Sequence, residues 1–261
     1  MEFEGLPEGC IANILSGTTP IDACRLSLVS KLFRSAADSD AVWESFLPSN
    51  YGSIISQFPN YPSKKALYLA LSDHPVIVDN GRKSFQLEKK NGKKCFMLSA
   101  RALTITWGDT EEYWGWTTNA HSRFPEVAEL RMVCWLEIRG VLNTLTLSPN
   151  THYAAYIIFK MIDAFGFSNL PVELSVNFLG DHGSTKIVCL DPTGVESLDI
   201  TSAGLQRPNV RSDGWLEIEM GEFINTTVEY EVEMSVMEVK DGRWKYGLVV
   251  EGIELRPKYE N

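Results

Sequence analysis

The sequence predicts an α+β chain in two parts: a small N-terminal helical module, then an all-β antiparallel sandwich. Three observations carry this. Between Leu6 and Pro48 apolar residues recur at helical spacing, in runs broken at Gly17, Ser30 and Asp38-Ser39-Asp40. From about Asn91 onward, apolar and polar residues alternate in short stretches separated by turn residues. A tryptophan-rich segment, ITWGDTEEYWGW, stands near the start of that β-rich part.

The helical elements follow in order. Leu6-Pro7 opens the first helix, since proline suits a first-turn position where no N–H is needed. Ile11, Ile14 and Leu15 form its stripe, and Gly17 ends it. Thr19-Pro20-Ile21-Asp22 is a capping-box variant for a second helix, with Leu26 and Val29 on one stripe. Ser30 caps a third helix holding Phe33; Val42, Trp43, Phe46 and Leu47 form a fourth stripe, stopped by Pro48. Asn50 to Pro62 reads mainly as loop, and Ser63 caps a helix with Ala66, Leu67, Leu69, Ala70 and Leu71 that ends at His74-Pro75. The expected segments are a module over 1–48, a linker with a short helix over 49–75, and a β-domain over 76–261.

In the β-domain, Val76 to Val78, Asp79-Asn80-Gly81 and Ser84 to Leu87 read as strand, turn and strand, and Asn91-Gly92 is a second hairpin signal. Leu130 to Leu147, with Val133, Trp135 and Ile138, reads as strands. Tyr153 to Ile162 is almost continuously apolar, as in a strand buried on both faces. Val172-Leu174-Val176-Phe178 and Leu216-Ile218-Met220 alternate cleanly, and Val232-Met234-Val236, Leu248-Val250 and Ile253-Leu255 repeat the habit. Asp191-Pro192-Thr193-Gly194, Asp213-Gly214 and Asp241-Gly242 supply turns. Many short strands with such turns predict a sandwich.

Composition narrows the function. A hydrophobic share of 44% and a charged share of 22% are ordinary for a globular protein. A net charge of -10 argues against nucleic acid, whose phosphates need basic patches, and against an anionic membrane surface. The apolar run Tyr153 to Phe159 is too short to span a bilayer, and the acidic start MEFEGLPEG lacks the apolar core of a secretory signal. Five cysteines without a CxxC pair point to reduced thiols in a cytoplasmic and nuclear protein. His74, His121, His152 and His182 are scattered, with no metal-ligand spacing, and no phosphate-binding glycine loop is present. No catalytic residue, metal or cofactor is expected. The acidic run Glu217, Glu219, Glu222, Glu229, Glu231 and Glu233 reads as a solvated sheet face.

Two features point to binding instead. The helical module is too small to bury all of its large apolar residues. The surplus either packs on the β-domain or awaits a partner. The tryptophans are the second feature: aromatic rings stack on the apolar faces of sugars, whose hydroxyls need donors and acceptors nearby. Trp107 and Trp114 are separated by a polar stretch and Tyr113, so they flank a turn. Core tryptophans are the alternative.

The ordered set of Leu6-Pro7, Ile14-Leu15, Pro20 with Asp22, Arg25, Val29-Ser30-Lys31, Phe33-Arg34 and Val42-Trp43 resembles an F-box over its whole length. The resemblance implies docking onto the Skp-type adaptor of a cullin ubiquitin ligase. Leu6, Pro7, Ile11, Leu15, Pro20, Leu26, Val29 and Trp43 would face that adaptor or support the face. From Lys93 onward, KKCFMLSARALTITWGDTEEYWGW, RFPEVAELRMVCWLEIRG, LSPNTHYAAYIIFKM, RSDGWLEIEMGEF and YEVEMSVMEVKDGRWKYGLVVEGIELRP are similar, in that order, to the phloem protein 2 lectin domain of plants. That resemblance implies a sandwich binding N-acetylglucosamine-containing glycans. Trp107 and Trp114 would be its stacking rings, and Glu231 and Glu238 its hydroxyl acceptors. Glu231 and Glu238 lie an odd number of positions apart, so on one regular strand they face opposite sides unless a bulge intervenes. The expected function is a non-catalytic substrate receptor. Its rivals are a free intracellular stress lectin and a receptor that binds protein surfaces rather than sugar.

Overall fold

The computed structural model describes residues 6–54, 61–181, 185–192 and 205–258. His182, Thr193, Gly194 and loop residues 55–60 lie outside the described residues. The chain forms helices first and then mostly antiparallel sheet, as expected. It divides into two compact units, Met1–Val78 with Phe85–Cys95, and Asp79–Ser84 with Phe96–Asn261. The expected segments thus meet an interleaved division, in which 85–95 return to the helical unit.

The helical unit holds α1 (Glu8–Ser16), α2 (Pro20–Leu26), α3 (Lys31–Asp38), α4 (Asp40–Phe46), α5 (Tyr51–Ile54) and α6 (Lys64–Asp73). Its starts are set by side-chain caps. Thr19 accepts from the Asp22 N–H at 3.2 Å, Ser30 from Phe33 at 3.2 Å and Ser63 from Ala66 at 3.1 Å. Each satisfies an amide that the first helical turn leaves without a partner, a contribution of about 1 kcal/mol. Pro7 occupies the cap position of α1, one place before the first helical residue. α1 packs on α3 and α4, and α4 on α6. Ile11, Leu15, Val42, Trp43, Leu67, Tyr68 and Leu71 form the core. The Trp43 indole donates to the Ala37 carbonyl at 2.6 Å, and its ring lies 5.2 Å from that of Tyr68. The Tyr68 hydroxyl in turn donates to the Glu88 carbonyl at 3.1 Å. Burial pushes that phenol up, beyond its ordinary range.

The chain passes between the units through β1 (Val76–Val78), β2 (Lys83–Leu87) and β3 (Lys94–Ser99). The β unit continues with β4 (Thr104–Ile105), β5 (Trp114–Thr117), β6 (Val127–Leu130), β7 (Leu136–Asn143), β8 (Thr151–Phe165) and β9 (Pro171–Phe178). It ends with β10 (Thr185–Cys189), β11 (Asn209–Val210), β12 (Leu216–Asn225), β13 (Glu231–Glu238) and β14 (Tyr246–Pro257). One sheet runs β3-β14-β8-β12-β11, with β6 beside β14 and β5 beside β6; the other runs β10-β9-β13-β7-β4. β8 lies between β14 and β12, which explains its continuous apolar run: its residues are mostly buried through Phe159. The two sheets pack tightly at Gly140 of β7, where an added Cβ would meet Leu103 at 2.9 Å and Leu98 at 3.1 Å. β13 shows the expected alternation except at Ser235: Val232, Met234 and Val236 are buried, Glu231 is exposed and Glu233 and Met237 are half-buried, while Ser235 is buried against Ser175.

Candidate functional site

In the helical unit, the residues expected at the adaptor face separate into two groups. Ile11, Leu15, Pro20 and Trp43 are buried in its core, and Leu6 and Leu26 are half-buried. Pro7 and Val29 are exposed. The sequence placed Val29 on the stripe of α2, but α2 ends at Leu26 and Val29 stands in the following turn. There the Leu28 N–H bonds to the Arg25 carbonyl at 3.1 Å and the Val29 N–H to the Leu26 carbonyl at 3.0 Å. Leu28 is 76% exposed and Val29 65%. Ile14 is 52% exposed at the edge of the buried Ile11 and Leu15 stripe of α1. The buried group therefore shapes the module, and Ile14, Leu28 and Val29 are its exposed large apolar side chains among the described residues. Leu28 was missed; its signal is a Leu-Val dipeptide beyond the helix stripe, where no core needs it.

In the β unit, Trp107 and Trp114 do flank a turn, but only one ring is available. Trp114 opens β5 opposite Leu130, is 2% exposed, and is a core residue. Among the described residues its indole N–H has no partner. Trp107 is 44% exposed, with its ring 5.3 Å from that of Tyr113. Its φ of 59° is a left-handed conformation that a bulky residue adopts only under constraint. The constraint is a ladder of backbone bonds around it: Thr106 to Glu137 at 3.0 Å, Gly108 to Ile105 at 2.9 Å, and Thr110 to Trp107 at 2.9 Å. The Trp116 indole adds a bond to the Gly108 carbonyl at 3.0 Å, and the Arg101 guanidinium covers the Trp116 ring at 3.6 Å.

The acids expected beside these rings do not share a site. Glu231 and Glu238 are the first and last residues of β13, opposite Asn143 and Leu136 respectively, with no bulge between them. Glu231 is exposed. Glu238 is buried and paired with Lys245, whose side chain is wholly enclosed. The same carboxylate accepts the N–H groups of Lys240 at 3.2 Å and Asp241 at 2.9 Å. Glu238 is therefore a structural staple.

The acceptor close to Trp107 is Glu137 of β7. It accepts from the hydroxyl of Thr106, the neighbour of Trp107, at 3.3 Å, and from the indole of Trp135 at 3.0 Å. Arg139 donates to its other oxygen at 2.8 Å and reaches Glu233 at 2.8 Å. The bond from Trp135, followed by that from Arg139, holds the Glu137 carboxyl below the usual carboxylate range. Trp135 is 42% exposed. One ionised carboxylate thus ties together the Trp107 turn and a second exposed indole. An exposed ring, a hydroxyl, a carboxylate and a guanidinium gathered at Glu137 suit a ligand with C–H faces and hydroxyl edges. Trp135 and Glu137 were missed as site residues. Their signal is spacing: Trp135 stands just before β7 and Glu137 is its second residue, two positions apart, which lets the indole reach the carboxylate.

Comparison with known proteins agrees with both units. A model of the phloem protein 2 family matches residues 93–257, and an F-box domain model matches residues 3–45. The chain belongs to the F-box proteins that carry a phloem protein 2 domain. Among Arabidopsis thaliana relatives of this F-box protein, "F-box protein At2g02240" is 47% identical over 98% of this chain and 80% of its own length. "F-box protein PP2-B10" is 46% identical over 98% and 94%, and "F-box protein PP2-B1" is 42% identical over 99% and 91%. Among solved structures, a family 35 carbohydrate binding module from Clostridium thermocellum superposes with a TM-score of 0.34 at 9% identity, over 62% of this chain and 96% of that one. Nothing about this F-box protein follows from so partial a likeness.

Proposed function

We propose that the chain is the substrate-receptor subunit of a cullin-type ubiquitin ligase, working in the cytoplasm and nucleus. The helical unit docks a Skp-type adaptor, and the β unit holds the target. The observation that carries this reading is the exposure of Ile14, Leu28 and Val29 on a module whose core is already closed by Ile11, Leu15, Val42 and Trp43. Large apolar groups left on a closed module mark a partner site. The receptor does no covalent chemistry; it raises the local concentration of target beside a charged conjugating enzyme. Capture of the intact protein by a Skp-type adaptor tests this. Wild type binds and Leu28→Asp with Val29→Asp does not; failure of the wild type to bind removes the ligase role and leaves a free lectin.

The ligand of the β unit is an N-acetylglucosamine-containing glycan, held against Trp107 and Trp135 with Glu137 as acceptor. The exposed indoles joined by one carboxylate support this reading. Titration with N-acetylglucosamine oligomers tests it: Trp107→Ala loses binding and keeps its unfolding midpoint. Unchanged binding in that variant places the sugar elsewhere.

A further inference from the structure

The five-stranded sheet carries a cleft of about 360 Å³, lined in part by Leu170, Pro171, Ile187, Met237 and Val239, with Glu173 and Lys240 at its rim. Three adjacent strands build it, because Ile187 of β10 lies opposite Glu173 of β9, and Glu173 lies opposite Met237 of β13. The turn after β13 forms a wall. Glu238 fixes that wall through the amides of Lys240 and Asp241 and through the enclosed Lys245. The cleft is therefore preformed, and its volume falls in the range of ordinary ligand sites. Ile187 is 50% exposed at its opening.

The lining discriminates between ligands. Among the described residues that line it none is aromatic, so these offer no flat ring to a sugar face. Aliphatic side chains and a methionine, which adapts to branched shapes, suit an aliphatic side chain. At the rim the Lys240 ammonium lies 2.5 Å from Glu173, and the Asp241 and Glu238 carboxylates that also line the cleft are paired with Arg243 and Lys245, so each of these charges already has a counter-ion. The pair of Lys240 and Glu173 still presents acceptor lone pairs on the carboxylate and further N–H bonds on the ammonium. A peptide residue carries one N–H and one C=O on either side of its side chain. It satisfies both rim groups while its side chain fills the floor.

We infer that this cleft binds an extended, uncharged peptide segment of a protein partner, anchored by one aliphatic side chain. This goes beyond the receptor reading above, since it assigns protein recognition to a surface separate from Trp107. It depends on neither adaptor docking nor sugar binding.

Nuclear magnetic resonance of the full chain, labelled at Ile and Met methyls, tests it with two blocked peptides, Ala-Leu-Ala and Ala-Gly-Ala. The leucine peptide shifts the Ile187 and Met237 methyls saturably, and the glycine peptide binds about tenfold more weakly. Ile187→Glu loses the effect, whereas Trp107→Ala keeps it. Lys240→Glu, at a side chain 78% exposed, reads the same loss should Ile187→Glu lower the unfolding midpoint. Absence of saturable shifts at those methyls with the leucine peptide overturns the proposal. So does N-acetylglucosamine shifting the same methyls at lower concentration, which would make the cleft a sugar site.

Discussion

Replacing Lys245 with methionine tests how the β unit holds its binding surface. The lysine has no exposed side-chain area, and its ammonium meets the Glu238 carboxylate, the Cys134 carbonyl at 3.1 Å and the Arg243 carbonyl at 2.8 Å. Its backbone also pairs with Val133, at 3.0 and 2.7 Å. Methionine keeps the apolar stem and removes the charge. Glu238 would then be left as a buried carboxylate supported only by two backbone amides, and two carbonyls would lose a donor. Removing one partner of a buried pair costs about 3–5 kcal/mol. For a unit of this size that lowers the midpoint of thermal unfolding by about 10 °C. A second substitution gives the reasoning its edge. Glu238→Gln keeps an acceptor for the Lys240 and Asp241 amides but carries no charge, so Glu238→Gln with Lys245→Met recovers a large part of the loss. Urea denaturation followed by tryptophan fluorescence measures all three proteins. A single mutant within about 1 kcal/mol of wild type, or a double mutant no better than the single, refutes the account of Lys245 as the partner of a buried charge.

Other expectations follow from the placement of single side chains. Trp114→Ala destabilises the β unit by about 3–5 kcal/mol through loss of a core ring, and thermal unfolding shows it; Trp107→Gly relieves a left-handed φ and leaves stability equal or higher by about 1 kcal/mol. In the helical unit Leu15→Ala costs about 2–5 kcal/mol, whereas Leu28→Asp changes stability by no more than about 0.5 kcal/mol while adaptor capture is lost. Glu137 has a folded-state pKa depressed by Trp135 and Arg139, so its contribution is complete above the ordinary glutamate value, about 4.3, and is lost as pH falls through the lower folded value. The Trp135 indole N–H resonance therefore stays in place down to about pH 4 and moves below it; movement at higher pH refutes the ion pairing, and Glu137→Gln shows no such transition.

What could be read in advance was local. Thr19, Ser30 and Ser63 cap helices because a hydroxyl and an amide three residues on need nothing else, and all three bonds are present. The alternation of β9 and β12 and the apolar run of β8 reflect period and layer, which the chain carries residue by residue. Site residues failed where long-range contacts decide. Trp107 and Trp114 share a segment and a residue type, yet one is lifted by a turn bonded to Glu137 and the other is pinned opposite Leu130. Glu238 looks like any surface acid until Lys245 closes over it. The odd spacing from Glu231 did announce that the two carboxylates diverge, and the regular register of β13 is what makes them do so.

The alternation of the chain between its units has a consequence for cutting and grafting. The path leaves the helical unit after Val78, rejoins it at Phe85 and leaves again after Cys95. No single cut liberates either unit whole: a break at Arg82 leaves part of the β unit on the N-terminal fragment and part of the helical unit on the C-terminal one. Neither unit is a cassette to be moved by one splice. A swap of receptors between such proteins that keeps both halves sound has its seams at 78, 84 and 95 together.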